Sequence, residues 1–164
     1  MRKIIFIVLS LSYLFGLDVY SGGELSDNQK AIDVTHYDIN LKVDPSRKII
    51  LGKVEITFLL EEQPKNFEFD LIDSLKVSEV SINEMILSFY QKNNKIVISN
   101  PGFEIGKTYS AVIKYGGEPP VANNPPWVGG FSWEKSKDGR PWVGVSCQAN
   151  GAHIWYPCKE HPSD

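Results

Sequence analysis

The chain has 164 residues, of which 42% are hydrophobic, 23% are charged and 12% are aromatic. This length and composition predict one globular domain that buries roughly two thirds of the surface its unfolded chain would expose. The formal net charge is −3. Nucleic-acid-binding domains need clustered Lys and Arg, so the composition excludes that class. The 13 Gly and 10 Pro residues indicate many short elements separated by turns.

Residues 1–21 have the pattern of a signal peptide. Arg2 and Lys3 provide a positive start, residues 4–17 form an apolar run, and a cleavage site is predicted before Gly22. The run is shorter than the roughly 20 apolar residues that a membrane span requires. We therefore expect a cleaved signal rather than a membrane anchor. Cleavage implies export to the periplasm or the extracellular space, with no stable membrane span afterwards.

The segment 22–34 is polar, and it is predicted to be a solvated leader that gives the folded domain slack. From Thr35 the side chains alternate between apolar and polar, which predicts a half-buried strand. Its apolar face consists of Tyr37, Ile39, Leu41 and Val43. A turn at Pro45 leads to a second strand, over residues 50–60. Within it Gly52 predicts a bulge or a close crossing, because glycine has no side chain.

The same alternation predicts further strands as far as residue 145. They cover residues 67–71, 75–82, 85–90, 95–99, 107–115, 131–134 and 142–145. A one-residue slip between Val77 and Val80 indicates a bulge. Tight turns are predicted at residues 83–84 and 93–94, where Asn tolerates left-handed conformations. The proline-rich stretch 116–130 is predicted to be a long ordered loop.

Residues 35–164 therefore contain eight to ten short predicted strands and no predicted helix. This pattern predicts an all-β domain, either an antiparallel β sandwich or a saddle. The first strand also carries a short motif, His36-Tyr37-Asp38-Ile39-Asn40-Leu41, that becomes informative together with the end of the chain.

The last 20 residues carry the most specific motifs. They are Ser146-Cys147-Gln148-Ala149, Trp155-Tyr156-Pro157-Cys158 and His161-Pro162-Ser163-Asp164. These motifs resemble the end of the N-terminal β domain of the zinc aminopeptidases related to aminopeptidase N and leukotriene hydrolase. The motif beginning at His36 resembles the opening strand of the same family. In that family a Gln or Glu nine residues before the Pro-Cys pair contacts the free α-amino group of the substrate. The resemblance implies this role for Gln148.

The resemblance implies a whole enzyme that removes N-terminal residues from peptides, with a zinc ion that activates water. The family motifs H-E-x-x-H and G-x-M-E-N do not occur in these 164 residues. We therefore expect the zinc ligands and the catalytic base to lie beyond Asp164. The 164 residues are then an N-terminal fragment that is inactive alone, binds no zinc and supplies only the amine contact of Gln148.

A metal site within the chain receives weak support. His153, Cys158 and His161 are zinc-ligand types, but a structural site requires four ligands and no second pair supplies the fourth. Glu160 is a possible fourth ligand, although it is adjacent to His161. His153 is expected to be exposed beside Trp155 instead.

Other reactive groups receive little support. Ser146 stands in half of a nucleophile elbow, with Gln at the place of the second Gly. Asp38 and Glu55 fall on outward strand faces, where solvated surface charge is the simpler interpretation. Export permits a disulfide between Cys147 and Cys158. The family resemblance implies instead that Cys158 packs as a buried thiol.

The alternative function is a stand-alone secreted module that binds carbohydrate or peptide. Trp127, Trp133 and Trp142 surround one loop and one predicted hairpin, and their rings could stack on a ligand. The same side chains could instead pack inward under the proline-rich loop. A carbohydrate module should bind glycans alone, whereas a fragment of an aminopeptidase should not.

Overall fold

The computed structural model describes residues 21–125 and 127–162, and these form ten β-strands, one α-helix and one 3-10 helix. The strands are β1 (Ile32–Asp44), β2 (Ile49–Leu60), β3 (Asn66–Asp70), β4 (Leu75–Ile82), β5 (Met85–Ile86), β6 (Phe89–Lys92), β7 (Lys95–Ser99), β8 (Thr108–Gly117), β9 (Gly130–Lys135) and β10 (Pro141–Ser146). The helix α1 covers Asp27–Lys30, and the 3-10 helix covers Ala152–Ile154. The predicted signal peptide, residues 1–21, lies outside the described residues except for Ser21. Within the described ranges, no helix has the length and apolar character to cross a membrane.

The strands form three antiparallel sheets. Sheet A has the strand order β1-β2-β8-β4-β5, sheet B has the order β3-β7-β6, and sheet C is the β9-β10 hairpin. The predicted β-rich class with antiparallel sheets is therefore confirmed for the part of the chain that the structure describes. The expectation that residues 35–164 contain no helix is wrong because of the short 3-10 helix, and α1 lies in the segment before residue 35.

The hydrophobic core lies between sheet A and sheet B. Phe58 of β2 contacts Phe67 and Phe69 of β3, with ring centroids 5.5 and 6.2 Å apart. All three side chains are fully buried. Burial of a side chain of this size contributes about 1.5–3 kcal/mol relative to exposure. The two sheets are therefore joined by large apolar contacts that the alternation in β2 and β3 places on facing sides.

Several irregularities occur where the sequence predicts them. Gly52 is predicted to mark a bulge or a close crossing, but its pairing with Leu41 and Tyr115 is in regular register, and the Tyr115 ring occupies the space that a Cβ at Gly52 would need. The register of β4 on β8 shifts between Val77 and Glu79, which confirms the predicted bulge. Both predicted tight turns contain residues with positive φ. These residues are Asn83, Glu84, Asn93 and Asn94.

The predicted strand over residues 85–90 is wrong as a single element. The chain leaves sheet A after β5 and enters sheet B at β6. Between them the backbone N–H of Leu87 donates to Val80 O at 3.1 Å, and Ser99 N donates to Ser88 O at 2.9 Å. Residues 87 and 88 thus connect the two sheets. An apolar alternation continues through such a crossing, so periodicity alone does not reveal it.

The predicted solvated leader is also corrected by the structure. Ser26 Oγ accepts the Gln29 backbone N–H at 3.2 Å, and Gln29 Oε1 accepts the Ser26 backbone N–H at 3.2 Å. This capping box begins α1, and it is visible in the sequence as Ser followed three residues later by Gln. Gln29 is 2% exposed, and Ala31 and Ile32 are 1% exposed. Residues 26–34 are therefore part of the packed domain, whereas Gly22, Gly23 and Glu24 are exposed as the prediction states.

Candidate functional site

Gln148 lies in a turn directly after β10. The backbone N–H of Gly151 donates to Cys147 O at 2.7 Å and closes the turn over residues 147–151. The Gln148 side chain is exposed, and it makes no hydrogen bond to another described residue. Its amide group is therefore available to a ligand.

The backbone of this turn is held on two sides. On one side, Asn150 Oδ1 accepts the backbone N–H of Gly129 at 2.9 Å. On the other side, Gly151 has φ +80°, a conformation that L side chains rarely adopt. A Cβ at Gly151 would lie 2.3 Å from the carboxylate carbon of Glu160, so the turn and this carboxylate are in direct contact.

The segment after the turn is attached to both large sheets. Tyr115 OH of sheet A donates to Trp155 O at 2.8 Å. Asp70 and Cys158 exchange two backbone hydrogen bonds, of 2.7 and 3.1 Å, which extend the edge of β3. The Tyr156 ring meets Tyr37 edge-on at 5.8 Å. Residues 152–160 are therefore a fixed part of the domain, although they contain no strand.

Polar side chains hold the same segment next to α1. We call Gln29, Asp70, Lys95, His153 and Glu160 the polar cluster. Asp70 Oδ2 accepts hydrogen bonds from Gln29 Nε2 at 2.7 Å and from the Glu160 backbone N–H at 3.0 Å. Asp70 Oδ1 forms an ion pair with Lys95 Nζ at 2.8 Å. The cluster lines a cavity of about 200 Å³, so water reaches part of it.

The carboxylate of Glu160 accepts hydrogen bonds at both of its oxygens. Its Oε2 accepts the His153 backbone N–H at 2.8 Å and lies 3.3 Å from His153 Nδ1. Cys158 Sγ donates to the same oxygen at 3.4 Å, and Ser21 Oγ donates to Oε1 at 2.8 Å. Burial raises the pKa of Glu160, but the hydrogen bonds from His153, Ser21 and Cys158 outweigh burial and lower this pKa to about 2. Glu160 is therefore ionised at neutral pH.

Both cysteines are free thiols. Cys158 is 3% exposed, as the family resemblance implies for the Pro-Cys position. Burial, together with the neighbouring carboxylates of Glu160 and Asp70, raises the pKa of Cys158 well above its ordinary value. A thiol in this environment stays protonated and is a poor nucleophile or metal ligand.

The structure places the residues of the weak metal hypothesis differently from the expectation. His153 is 7% exposed rather than exposed, because Glu160 accepts its backbone N–H and contacts its ring. In the described ranges, no group of three or more His, Cys, Asp and Glu side chains is arranged to hold a metal ion. The weak metal hypothesis is also disfavoured by the state of Cys158, whose buried thiol donates to Glu160 Oε2 and stays protonated.

The structure also places the three other groups that were considered as reactive, Ser146, Asp38 and Glu55. Ser146 is the last residue of β10, and a turn follows it. Glu55 Oε1 accepts Ser110 Oγ at 2.6 Å across two neighbouring strands, and Asp38 pairs with Glu55 in the register of β1 and β2. Asp38 and Glu55 belong to the outer surface of sheet A.

The tryptophans of the alternative function do not form one platform. In sheet C, Trp133 pairs with Val143, whereas Trp142 pairs with Glu134. Neighbouring positions along a strand point to opposite faces, so Trp133 and Trp142 lie on opposite faces of the hairpin. Trp133 stacks on the buried Phe131 with ring centroids 5.3 Å apart, whereas Trp142 is 55% exposed.

Comparison with known proteins gives similar solved structures. No protein-family model matches the chain. The M1 zinc metallopeptidase from Deinococcus radiodurans is 24% identical, with a TM-score of 0.67 over 82% of this chain and 30% of that chain. A two-domain M1 zinc metallopeptidase variant bound to L-arginine is 25% identical, with a TM-score of 0.67 over 82% and 31%. Leukotriene A4 hydrolase from Saccharomyces cerevisiae is 21% identical, with a TM-score of 0.65 over 92% and 24%.

These comparisons confirm the predicted resemblance to M1 zinc metallopeptidases and leukotriene A4 hydrolase, whose N-terminal domain fold covers most of this chain. The likeness is one of fold. The chain spans 30% of the Deinococcus enzyme and 24% of the yeast hydrolase.

Proposed function

We propose that this chain, which has the N-terminal domain fold of the M1 zinc metallopeptidases, is the N-terminal domain of an exported zinc aminopeptidase. In this proposal the whole enzyme removes N-terminal residues from peptides, and Gln148 contacts the free α-amino group of the substrate. The observation that carries the proposal is the exposed Gln148 side chain on a backbone turn that is fixed from two sides. One of the similar structures is an M1 zinc metallopeptidase variant bound to a Tyr-Ser-Ala substrate.

The chemistry of Gln148 suits an amine. A peptide α-ammonium group has three N–H donors, and the Gln side-chain oxygen is an acceptor with two lone pairs. A hydrogen bond to a charged group contributes about 1.5–3 kcal/mol. Because Gln148 makes no hydrogen bond to the described residues, none has to be broken on binding. The closed turn also reduces the entropy lost when the complex forms.

Zinc belongs to the remainder of the proposed enzyme. When bound, it would activate the water that attacks the peptide bond. The N-terminal domain then contributes binding and orientation of the substrate. Within it, Gln148 selects substrates with a free N-terminus. We expect the 164-residue chain alone to hydrolyse no aminoacyl anilide and to retain no stoichiometric zinc.

Export is the remaining part of the proposal, and it rests on residues 1–21. Their positive start and apolar run have the pattern of a cleaved signal peptide. Cleavage before Gly22 would remove Ser21 and its hydrogen bond to Glu160 Oε1, and it would leave the bonds to Oε2 in place. We therefore expect a protein in the periplasm or the extracellular space whose domain begins within a few residues of the new N-terminus.

The test begins with the reading frame beyond the codon for Asp164. We expect this frame to encode G-x-M-E-N and H-E-x-x-H. The protein encoded by the whole frame should hydrolyse aminoacyl anilides, and a chelator should abolish this activity. Gln148→Ala should lower kcat/KM roughly 10- to 100-fold, the equivalent of one charged hydrogen bond.

The matched control is Gln63→Ala, because Gln63 is also an exposed glutamine in a loop. This control should keep wild-type kcat/KM. Equal activity of wild type and Gln148→Ala would contradict the amine contact. A stop codon after Asp164 with no such motifs would contradict the enzyme assignment and leave the binding module as the function to test.

A further inference from the structure

We propose that Glu160 is a positioning residue, whose carboxylate fixes the turn that presents Gln148 to the substrate amine. The inference rests on the proposed function and adds a second residue to the same site. Glu160 does not need to touch the substrate for this role. Its carboxylate contacts Gly151 and accepts the backbone N–H of His153, and through these two residues it holds the turn.

The first contact is between the carboxylate and Gly151. All three terminal atoms of Glu160, namely Cδ, Oε1 and Oε2, would lie within 2.5 Å of a Cβ at this position. Only a glycine permits this approach, and the φ of +80° independently favours glycine. The N–H of Gly151 closes the turn by its hydrogen bond to Cys147 O. The carboxylate is therefore packed against the residue that completes the turn.

The second contact is the hydrogen bond from the His153 backbone N–H to Oε2, at 2.8 Å. This N–H lies in the first turn of the 3-10 helix, where a backbone donor has no partner within the helix. The carboxylate satisfies the donor and the negative charge suits its position. One side chain thus holds residue 151, the last residue of the turn that contains Gln148, and residue 153, which follows the turn.

Glu160 can hold the turn only if it is itself fixed, and the cluster meets this condition. Its backbone N–H donates to Asp70 Oδ2 at 3.0 Å, and Asp70 is held by Gln29 and Lys95. Two residues earlier, the backbone of Cys158 exchanges two hydrogen bonds with the backbone of Asp70 at the end of β3. A continuous series of short contacts therefore runs from sheet B through Asp70 and Glu160 to the turn. Side chains that support a binding group in this way reduce its disorder before the ligand arrives.

The experiment is a double-mutant cycle in the enzyme encoded by the whole reading frame. We would measure kcat/KM on an aminoacyl anilide for wild type, Glu160→Gln, Gln148→Ala and the double variant. If Glu160 acts through Gln148, Glu160→Gln should lower kcat/KM about fivefold or more in the wild-type background. In the Gln148→Ala background it should change kcat/KM less than about twofold, since residues that act as one unit are not additive.

The matched control is Glu68→Gln. Glu68 is another carboxylate that accepts two side-chain hydrogen bonds, from Ser26 Oγ at 2.6 Å and Asn28 Nδ2 at 2.7 Å. It shows no contact with the turn, so any effect on kcat/KM should multiply with that of Gln148→Ala. Circular dichroism confirms that each variant is folded. If Glu160→Gln does not fold, Glu160→Asp takes its place in the cycle, because it keeps the charge and shortens the reach by one methylene.

The outcomes separate the two proposals. Multiplying effects of Glu160→Gln and Gln148→Ala would overturn the positioning role and leave the amine contact standing. An inactive wild type, or a fully active Gln148→Ala variant, would overturn the proposed function, and the positioning role would fall with it. Amide hydrogen exchange gives a readout that does not depend on catalysis: faster exchange at Gly151 and His153 in Glu160→Gln supports the role, and unchanged exchange contradicts it.

Discussion

Two consecutive segments near the end of the chain have opposite characters. In the turn 147–151, Gln148 is exposed and makes no hydrogen bond to the described residues. In the segment 152–160, His153, Ile154 and Cys158 are buried, and hydrogen bonds connect it to sheet A and sheet B. The first segment presents a group to solvent, whereas the second attaches the backbone to the domain.

Under the proposed function, this difference would let a loop present Gln148 to the substrate with little loss of entropy on binding. A free side chain on a mobile loop has to be ordered when the ligand binds, which weakens the complex. A free side chain on a fixed backbone keeps its hydrogen-bonding capacity while most of the ordering has already occurred on folding. The polar cluster contributes to stability in the second segment, and Gln148 remains available in the first. Substitutions in the polar cluster and at Gln148 should therefore separate stability from activity.

The largest effect is expected from Asp70→Ala. This change removes the acceptor for Gln29, the Glu160 backbone N–H and the Lys95 ammonium group. Loss of one partner from a largely buried charged pair costs about 3–5 kcal/mol. Because the cluster lines a cavity that water reaches, we expect a value near the lower limit, about 3 kcal/mol, in the free energy of unfolding measured with urea.

Glu79→Ala is the control for this measurement. Its carboxylate pairs with Lys114 at the same distance of 2.8 Å, but the two side chains are 41% and 50% exposed. Exposed pairs contribute less than about 1 kcal/mol. Similar losses of unfolding free energy in Asp70→Ala and Glu79→Ala would contradict the view that the polar cluster attaches residues 152–160 to the rest of the domain.

A smaller, pH-dependent effect is expected from Glu160. Its pKa is lowered from 4.5 to about 2 in the folded chain that retains Ser21, so the unfolded chain binds the proton more tightly. The resulting stability is present above pH 4.5 and is lost as the pH falls from 4.5 towards 2. We expect about 2 kcal/mol from this group, after allowance for its contact with solvent. Urea unfolding of wild type and Glu160→Gln should give a difference that shrinks over this range, whereas a constant difference would contradict the assignment.

The sequence predicts sheet A and sheet B well because their signal is local. Alternation places Phe58, Phe67 and Phe69 on buried faces, and burial agrees at each position. The slip after Val77 predicts the bulge, and the absence of a side chain at Gly52 matches the Tyr115 ring that packs over it. Each of these features depends on residues a few positions apart, which a single sequence displays directly.

The polar cluster could not be predicted in the same way. Asp70 joins side chains from Gln29 and Lys95 and the backbone of Glu160, which are 41, 25 and 90 residues away. No periodicity encodes such partners, and the polar composition of residues 22–34 indicates solvent exposure instead. The capping box at Ser26 is the one local signal that this segment is ordered. The buried position of His153 also has no periodic signal, although its partner Glu160 follows it by only seven residues.

The smallest change in stability is expected from Gln148→Ala, and it tests the first segment of the comparison. The side chain makes no hydrogen bond to the described residues and is exposed, so its removal should change the free energy of unfolding by less than about 0.5 kcal/mol. In the proposed whole enzyme the same change should lower kcat/KM substantially, since the ammonium group loses its acceptor. A loss of stability comparable to that of Asp70→Ala would show that Gln148 supports the fold. In that case the backbone of the turn would depend on the Gln148 side chain. A fall in kcat/KM could then result from a distorted turn, and it would no longer identify the amine contact.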